Sequence, residues 1–262
     1  MMAWETQQVF AIQNRDILLF IFFSTLCSYS FHSLLNTIYP STTERHEWNI
    51  RHKAFLVASL VITASVVFVY TWKLRGGLLF IGFAALFTFL YSAPIIPMKP
   101  FILLRRIAYG KTIFLAMVWT YVTGLMPILI SRIPLKAGHF YFVGSRLFLV
   151  YAICILFDLK DRIEDRKKKI KALPTVLSEK SIRFIYFLSL FFSLVCTIMI
   201  PFSGIPLHEF IFMLVPVIIC FLIYGHSLTR KDDLYYYVIL DGLMMLSALL
   251  LFIYSISFTF VP

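Results

Sequence analysis

Long apolar runs alternate along the chain with short breaks that carry charges, prolines or both. Cutting at those breaks predicts eight helices, over residues 17–35, 54–72, 77–91, 112–130, 139–157, 182–200, 209–224 and 234–258. Each run is apolar throughout instead of alternating, which excludes the amphipathic strands of a membrane barrel. About 20 apolar residues cross the hydrocarbon of a bilayer, and a helix satisfies its own backbone hydrogen bonds there. The expected fold is all-α, a polytopic membrane helical bundle of about eight spans, built as a single domain over residues 1–262. The third run is short and closes on Ser92-Ala93-Pro94, and a re-entrant segment at 77–98 would change the parity of the crossings. Residues 1–16, MMAWETQQVFAIQNRD, are mostly polar and lack the basic start and small-residue cleavage site of a signal peptide.

Composition agrees with the pattern. The 262 residues are 60% hydrophobic and 14% charged, with a mean hydropathy of +0.86. Soluble domains carry about 25% charged residues, so a soluble protein is excluded. The net charge of +11 would suggest nucleic acid in a soluble chain. Here the basic residues sit in short loops, where they read as topology signals and lipid-headgroup contacts, and no nucleic-acid partner is expected. If every run crosses, the loops 36–53, 92–111, 158–183 and 225–233 share one side and hold 18 of the 24 Lys and Arg residues. The positive-inside rule makes that side cytoplasmic, in a bacterial-type inner membrane. Cys27, Cys154, Cys196 and Cys220 all lie in apolar runs with no C-x-x-C pair, which predicts buried free thiols.

The acids are unevenly spread, and no Asp occurs between Asp16 and Asp158. On a helix, Asp158, Asp161 and Asp165 then fall at about 0°, 300° and 340°, on one face, with Glu164 further round at about 240°. Three carboxylates on one stripe repel unless a cation holds them, and a hard ion such as Mg²⁺ with a phosphorylated ligand suits the stripe. An ordinary solvated helix end, with Arg162 and Arg166 pairing to the acids, accounts for the spacing equally well. A second loop, YSAPIIPMKPFILLRRIAYGK at 91–111, is broken by three prolines and brings Lys99, Arg105, Arg106 and Lys111 to the same membrane side. Basic groups facing metal-bearing carboxylates would make a diphosphate clamp, although positive-inside anchoring explains most of these charges. Asp241 in the last run is a functional-site candidate by its depth, or a residue that reaches the headgroups or Arg230 and Lys231. Arg146 is expected to snorkel to the outer interface.

The segment FDLKDRIEDRKKKIKALP at 157–174 resembles the second aspartate-rich motif of the UbiA-type intramembrane prenyltransferase superfamily, D-x-x-D-x-x-x-D-R followed by K-T-L-P. Asp158, Asp161, Asp165, Arg166, Lys171, Leu173 and Pro174 match, and Ala172 stands in place of Thr. Tyr91-Ser92-Ala93-Pro94 with Lys99 resembles the mid-chain loop of the same family. The resemblance implies a bundle of about nine helices in which Mg²⁺ holds an isoprenyl diphosphate for transfer to an aromatic or lipid-soluble acceptor. It implies Asp158, Asp161 and Asp165 as metal ligands and catalytic residues, with Lys99, Arg105, Lys171, Tyr91 and Asn36 binding substrate. The chain departs from the pattern in two places. Residues 27–53 keep Asn36 but no Asp of the family's first aspartate motif, only Glu44 and Glu47, and Ser41-Thr42-Thr43-Glu44 fits a helix capping box. The family's first span is expected to be missing. Those departures keep open a non-catalytic relative that binds a prenyl lipid or a partner protein, and a small transporter with Asp241 as its support.

Overall fold

The computed structural model describes residues 1–37, 44–92, 111–167, 172–230, 232 and 234–259, and among them it contains helices and no strands. Helix stands at each of the eight predicted runs. Six are long and apolar enough to cross a membrane: Arg15–Asn36, Lys53–Lys73, Thr112–Ile130, Ala137–Ile163, Glu179–Ser203 and Leu207–Thr229. A seventh is a bent pair, Tyr235–Met244 with Leu246–Ser257, broken by 62°. The remaining one, Arg75–Leu90, is apolar but shorter, and 16 residues reach only about 24 Å against a hydrocarbon core of about 30 Å. The protein is an integral membrane protein.

The chain divides into two units, Gln13–Arg106 and the combination of Met1–Ile12 with Ile107–Pro262. The first is built on α2 (Arg15–Asn36) and α4 (Lys53–Lys73), joined through the short α3 (Glu44–Arg51) and followed by α5 (Leu78–Ser92). Asn14 caps α2 by accepting a hydrogen bond from the Ile17 amide. Asp16 at the start of α2 pairs with Lys73 at the end of α4, and Ser30 meets Ser59 at 3.0 Å between them, so the two helices run antiparallel. Apolar packing gains little in lipid, and such hydroxyl contacts help hold helices together there. The outward faces are greasy: Phe68 and Trp72 are largely exposed, as lipid-facing positions should be.

The larger unit starts with α1 (Met2–Val9) and continues through α6 (Lys111–Thr120), a π-helical turn at Tyr121–Leu125, α7 (Met126–Ile130), α8 (Ala137–Lys167), α9 (Leu173–Val176), α10 (Glu179–Met199) and α11 (Leu207–Thr229). It closes with a second π-helix, Tyr235–Leu240, then α12 (Asp241–Met244) and α13 (Leu246–Thr259). Helix α8 is the axis of this unit. Its Ile153, Leu156, Ala152 and Leu149 meet Tyr186 and Leu190 of α10, Val217 and Cys220 of α11, and Tyr236 and Leu240 of the last span. The Tyr186 hydroxyl donates to the Cys220 carbonyl at 2.7 Å, so a large ring is buried without leaving its polar end unsatisfied. Ser193 donates to the Ser145 carbonyl, and the Ser145 and Thr197 hydroxyls pair across α8 and α10. Gly138 lets α8 start close against the turn at Ser203: a Cβ there would stand 2.8 Å from the Ser203 Cβ. Gly138→Ala is expected to lower stability by about 1–3 kcal/mol through overpacking, read as a lower Tm in detergent.

Three expectations change. Residues 1–12 are no polar lead-in: α1 is packed inside the larger unit with Met2, Ala3, Glu5, Thr6 and Gln7 buried. Eight residues are too few for a helix to persist alone, so α1 is held by its contacts, including Trp4 on Phe252 and Phe10 against Phe142 and His139. The last run, predicted as one helix, breaks at Met245. Cys154 and Cys220 are buried free thiols as expected, but Cys27 and Cys196 are only half-buried. Of the predicted capping box, residues 41–43 lie outside the described residues, and α3 begins at Glu44.

Candidate functional site

Helix α8 does not stop where its apolar run ends at Phe157. It continues ten residues to Lys167, because Asp158 to Lys167 is free of Gly and Pro and rich in good helix formers. The aspartates therefore lie on one continuous helix, as the wheel requires. Asp158 and Asp165 are half-buried and Asp161 is exposed. At 1.5 Å per residue they climb about 10 Å of helix.

Contacts brace this end of α8 on two sides. Toward bearings of about 0–40°, the buried Thr112 hydroxyl of α6 donates to Asp158 Oδ2, and Arg162 Nη1 donates to Glu179 Oε1 of α10 at 2.7 Å. Toward about 200–260°, Lys160 Nζ sits 5.0 and 4.8 Å from the ring centroids of Tyr236 and Tyr237. Phe157 meets the same two rings at 5.7 and 6.2 Å. Asp161 and Asp165, at about 300–340°, occupy the sector between the braces. Arg162 reaches across to α10, a partner 17 residues on that i,i+4 counting does not see.

Among the described residues no group of three or more His, Cys, Asp or Glu side chains converges as a metal cage. Mg²⁺ does not require one. It keeps several waters and takes one or two carboxylates, the rest coming from substrate phosphates, and the all-oxygen donors of the stripe fit that chemistry. Beneath the stripe the surroundings turn apolar within one turn: Cys154 is buried with Ala116, Val150 and Met2. Asp241 follows the π-helix of the last span directly and is exposed. Of the residues expected to bind substrate, Lys99, Arg105 and Lys171 lie outside the described residues. Tyr91 is the penultimate residue of α5. Asn36 ends α2, where its carbonyl lies 3.2 Å from His46 Nδ1. Both belong to the smaller unit.

About 18 Å along α8 from Asp158 a second polar centre replaces an expectation. Arg146 does not snorkel. Its side chain is 5% exposed, and Nη2 donates to Glu5 Oε2 at 2.6 Å. Nη1 donates to the Thr6 hydroxyl at 2.7 Å and to the Thr123 carbonyl at 3.0 Å, and the guanidinium lies 4.5 Å from the Phe142 ring. The sequence explains why that carbonyl is available. Pro127 has no N–H to return to the carbonyl four residues back, which is Thr123, in the π-helical turn. Thr6 donates to the same oxygen at 2.7 Å. With an acid, a hydroxyl and a spare carbonyl delivered by α1 and the turn, the arginine has better partners inside than at the interface. The adjoining cavity, lined by Ser145, Arg146, Leu149, Met213, Met244 and Ser247, has a volume of about 10 Å³, room for one water at most.

Sequence reasoning missed Thr112, Lys160, Tyr236 and Tyr237 beside the stripe, and Glu5 beside Arg146. Only the last left a signal: an arginine within an apolar run needs a counter-charge, and acids are scarce.

Residues 49–236 match the model of the UbiA prenyltransferase family. No curated protein and no solved structure matches the chain.

Proposed function

Because this chain belongs to the UbiA prenyltransferase family, we propose that it transfers an isoprenyl group from a prenyl diphosphate to an aromatic or other lipid-soluble acceptor within the membrane. The observation that carries the reading is the stripe of Asp158, Asp161 and Asp165 on one face of α8, where an apolar span meets water. These three residues would hold Mg²⁺, which when bound neutralises charge on the diphosphate as it departs. Asp158 is oriented for that task by the Thr112 hydroxyl. Lys171 would meet the donor by charge-assisted hydrogen bonds to phosphate oxygens; Lys99, Arg105, Tyr91 and Asn36, assigned to substrate by the family resemblance, belong to the smaller unit. The buried Cys154, Ala116 and Val150 below the stripe exclude water from the side on which an allylic cation would form. Basic-residue asymmetry supports a cytoplasmic face for the stripe.

One observation favours a second reading, a family member that binds a prenyl lipid or a partner protein without turning it over: no Asp lies between Asp16 and Asp158 to furnish an opposite carboxylate wall. Turnover separates the two. Protein reconstituted in lipid nanodiscs is given radiolabelled prenyl diphosphates of increasing chain length, a panel of aromatic acceptors and Mg²⁺. Prenylated acceptor with release of diphosphate is the expected result. Neither product nor hydrolysis across the panel supports the second reading.

A further inference from the structure

The last three turns of α8 carry the aspartates, and the braces on either side fix their bearing. On one side the buried Thr112 hydroxyl holds Asp158 alone, while the Arg162–Glu179 pair ends on a Glu179 side chain that is 78% exposed, and a pair so open to water holds weakly. The other side is better built. Tyr236 is buried, and its hydroxyl donates to the Ser227 carbonyl of α11 at 2.8 Å, which fixes the ring from behind. The Tyr235 hydroxyl pairs with the Ser227 hydroxyl at 2.9 Å. Tyr236 and Tyr237 are consecutive residues, which in an α-helix would point about 100° apart. They stand in a π-helix, a feature frequent at functional sites, and both rings reach one partner. That partner is Lys160, one residue from Asp161 and two from Asp158.

Resting on the function proposed above, we propose that Lys160, Tyr236 and Tyr237 form a positioning clamp by which the last span sets the bearing of Asp158 and Asp161. The three residues act through the aspartates and are not ligands themselves. A helix end that is free to turn or fray carries its stripe with it, and a carboxylate displaced by about 1 Å loses much of its worth to a bound ion. The π-helix is then no irregularity of the last span but the means by which it grips α8.

The clamp is tested on full-length protein in nanodiscs by two measurements. The first reads the apo protein: spin labels at positions 163 and 239, in a background without the native cysteines, report the distance distribution between the end of α8 and the last span. The second titrates Mg²⁺ against binding of farnesyl diphosphate. Lys160→Arg and Tyr237→Phe keep a cation and a ring face, and both should retain the narrow distribution and the wild-type half-saturating Mg²⁺. Lys160→Met and Tyr237→Leu should broaden the distribution and raise half-saturating Mg²⁺ by about fivefold or more, with an unchanged Tm. Should Tyr237→Leu fail to fold, the Met and Arg variants of Lys160 decide between themselves. A narrow distribution and unaltered Mg²⁺ requirement in Lys160→Met overturn the clamp while leaving the proposed function intact. Wild-type protein that binds no farnesyl diphosphate overturns the function on which the clamp rests.

Discussion

Glu5→Ala is expected to be among the most damaging single substitutions in this protein, lowering stability by about 3–5 kcal/mol. The reason is asymmetric. Arg146 is buried, and Glu5 is its charge partner at 2.6 Å; removing the acid strands a buried guanidinium with no counter-charge. Arg146→Met should cost less, because it takes away the buried guanidinium and a methionine fills the space of its stem. Replacing both, as Glu5→Leu with Arg146→Met, should recover most of the loss, since apolar substitutes for a buried pair are often neutral or better. Denaturant unfolding of the wild type and the three variants in one detergent compares the losses directly. A Glu5→Ala variant within about 1 kcal/mol of wild type would mean that α1 is not held in the unit by this pair.

Asp161→Asn is expected to reduce prenyl transfer by about 10²–10³-fold with no loss of stability. Asp161 is exposed, so an amide of the same shape disturbs no packing, while it removes one negative oxygen from the stripe. Asp232 supplies the control: it is exposed too, pairs with Arg230 at 3.3 Å and lies off the stripe, so Asp232→Asn should change nothing. Asp158→Asn should be equally inactive but less clean, because the Thr112 hydroxyl that donates to the carboxylate would also have to find its place on an amide. Equal activity of Asp161→Asn and Asp232→Asn would remove Asp161 from the site.

The spans were legible because hydrocarbon imposes one solution on an apolar run, and the stripe was legible because 3.6-residue periodicity is blind to everything except spacing. What escaped detection depends on partners distant in sequence. Arg146 was assigned to the interface from its own run, where no acid is visible, while Glu5 lies 141 residues away in a stretch that looks like a polar lead-in. The break at Met245 has no proline beside it, and the tyrosines ahead of it spell an ordinary interfacial cluster until the π-helix turns two of them onto Lys160. Thr112 was counted only as the start of an apolar run. Its hydroxyl gains meaning from Asp158, 46 residues on.

The aspartate face of α8 is expected to grip a phosphorylated prenyl lipid through a divalent ion. Equilibrium binding of a labelled prenyl diphosphate, measured with Mg²⁺ and again with EDTA, on wild-type protein and on the Asp158→Ala/Asp161→Ala double variant, tests this most directly. Saturable binding by the wild type in Mg²⁺ alone, abolished by EDTA and by the double substitution, is the expected outcome. Binding that is indifferent to the metal, or equally strong in the double variant, would contradict it.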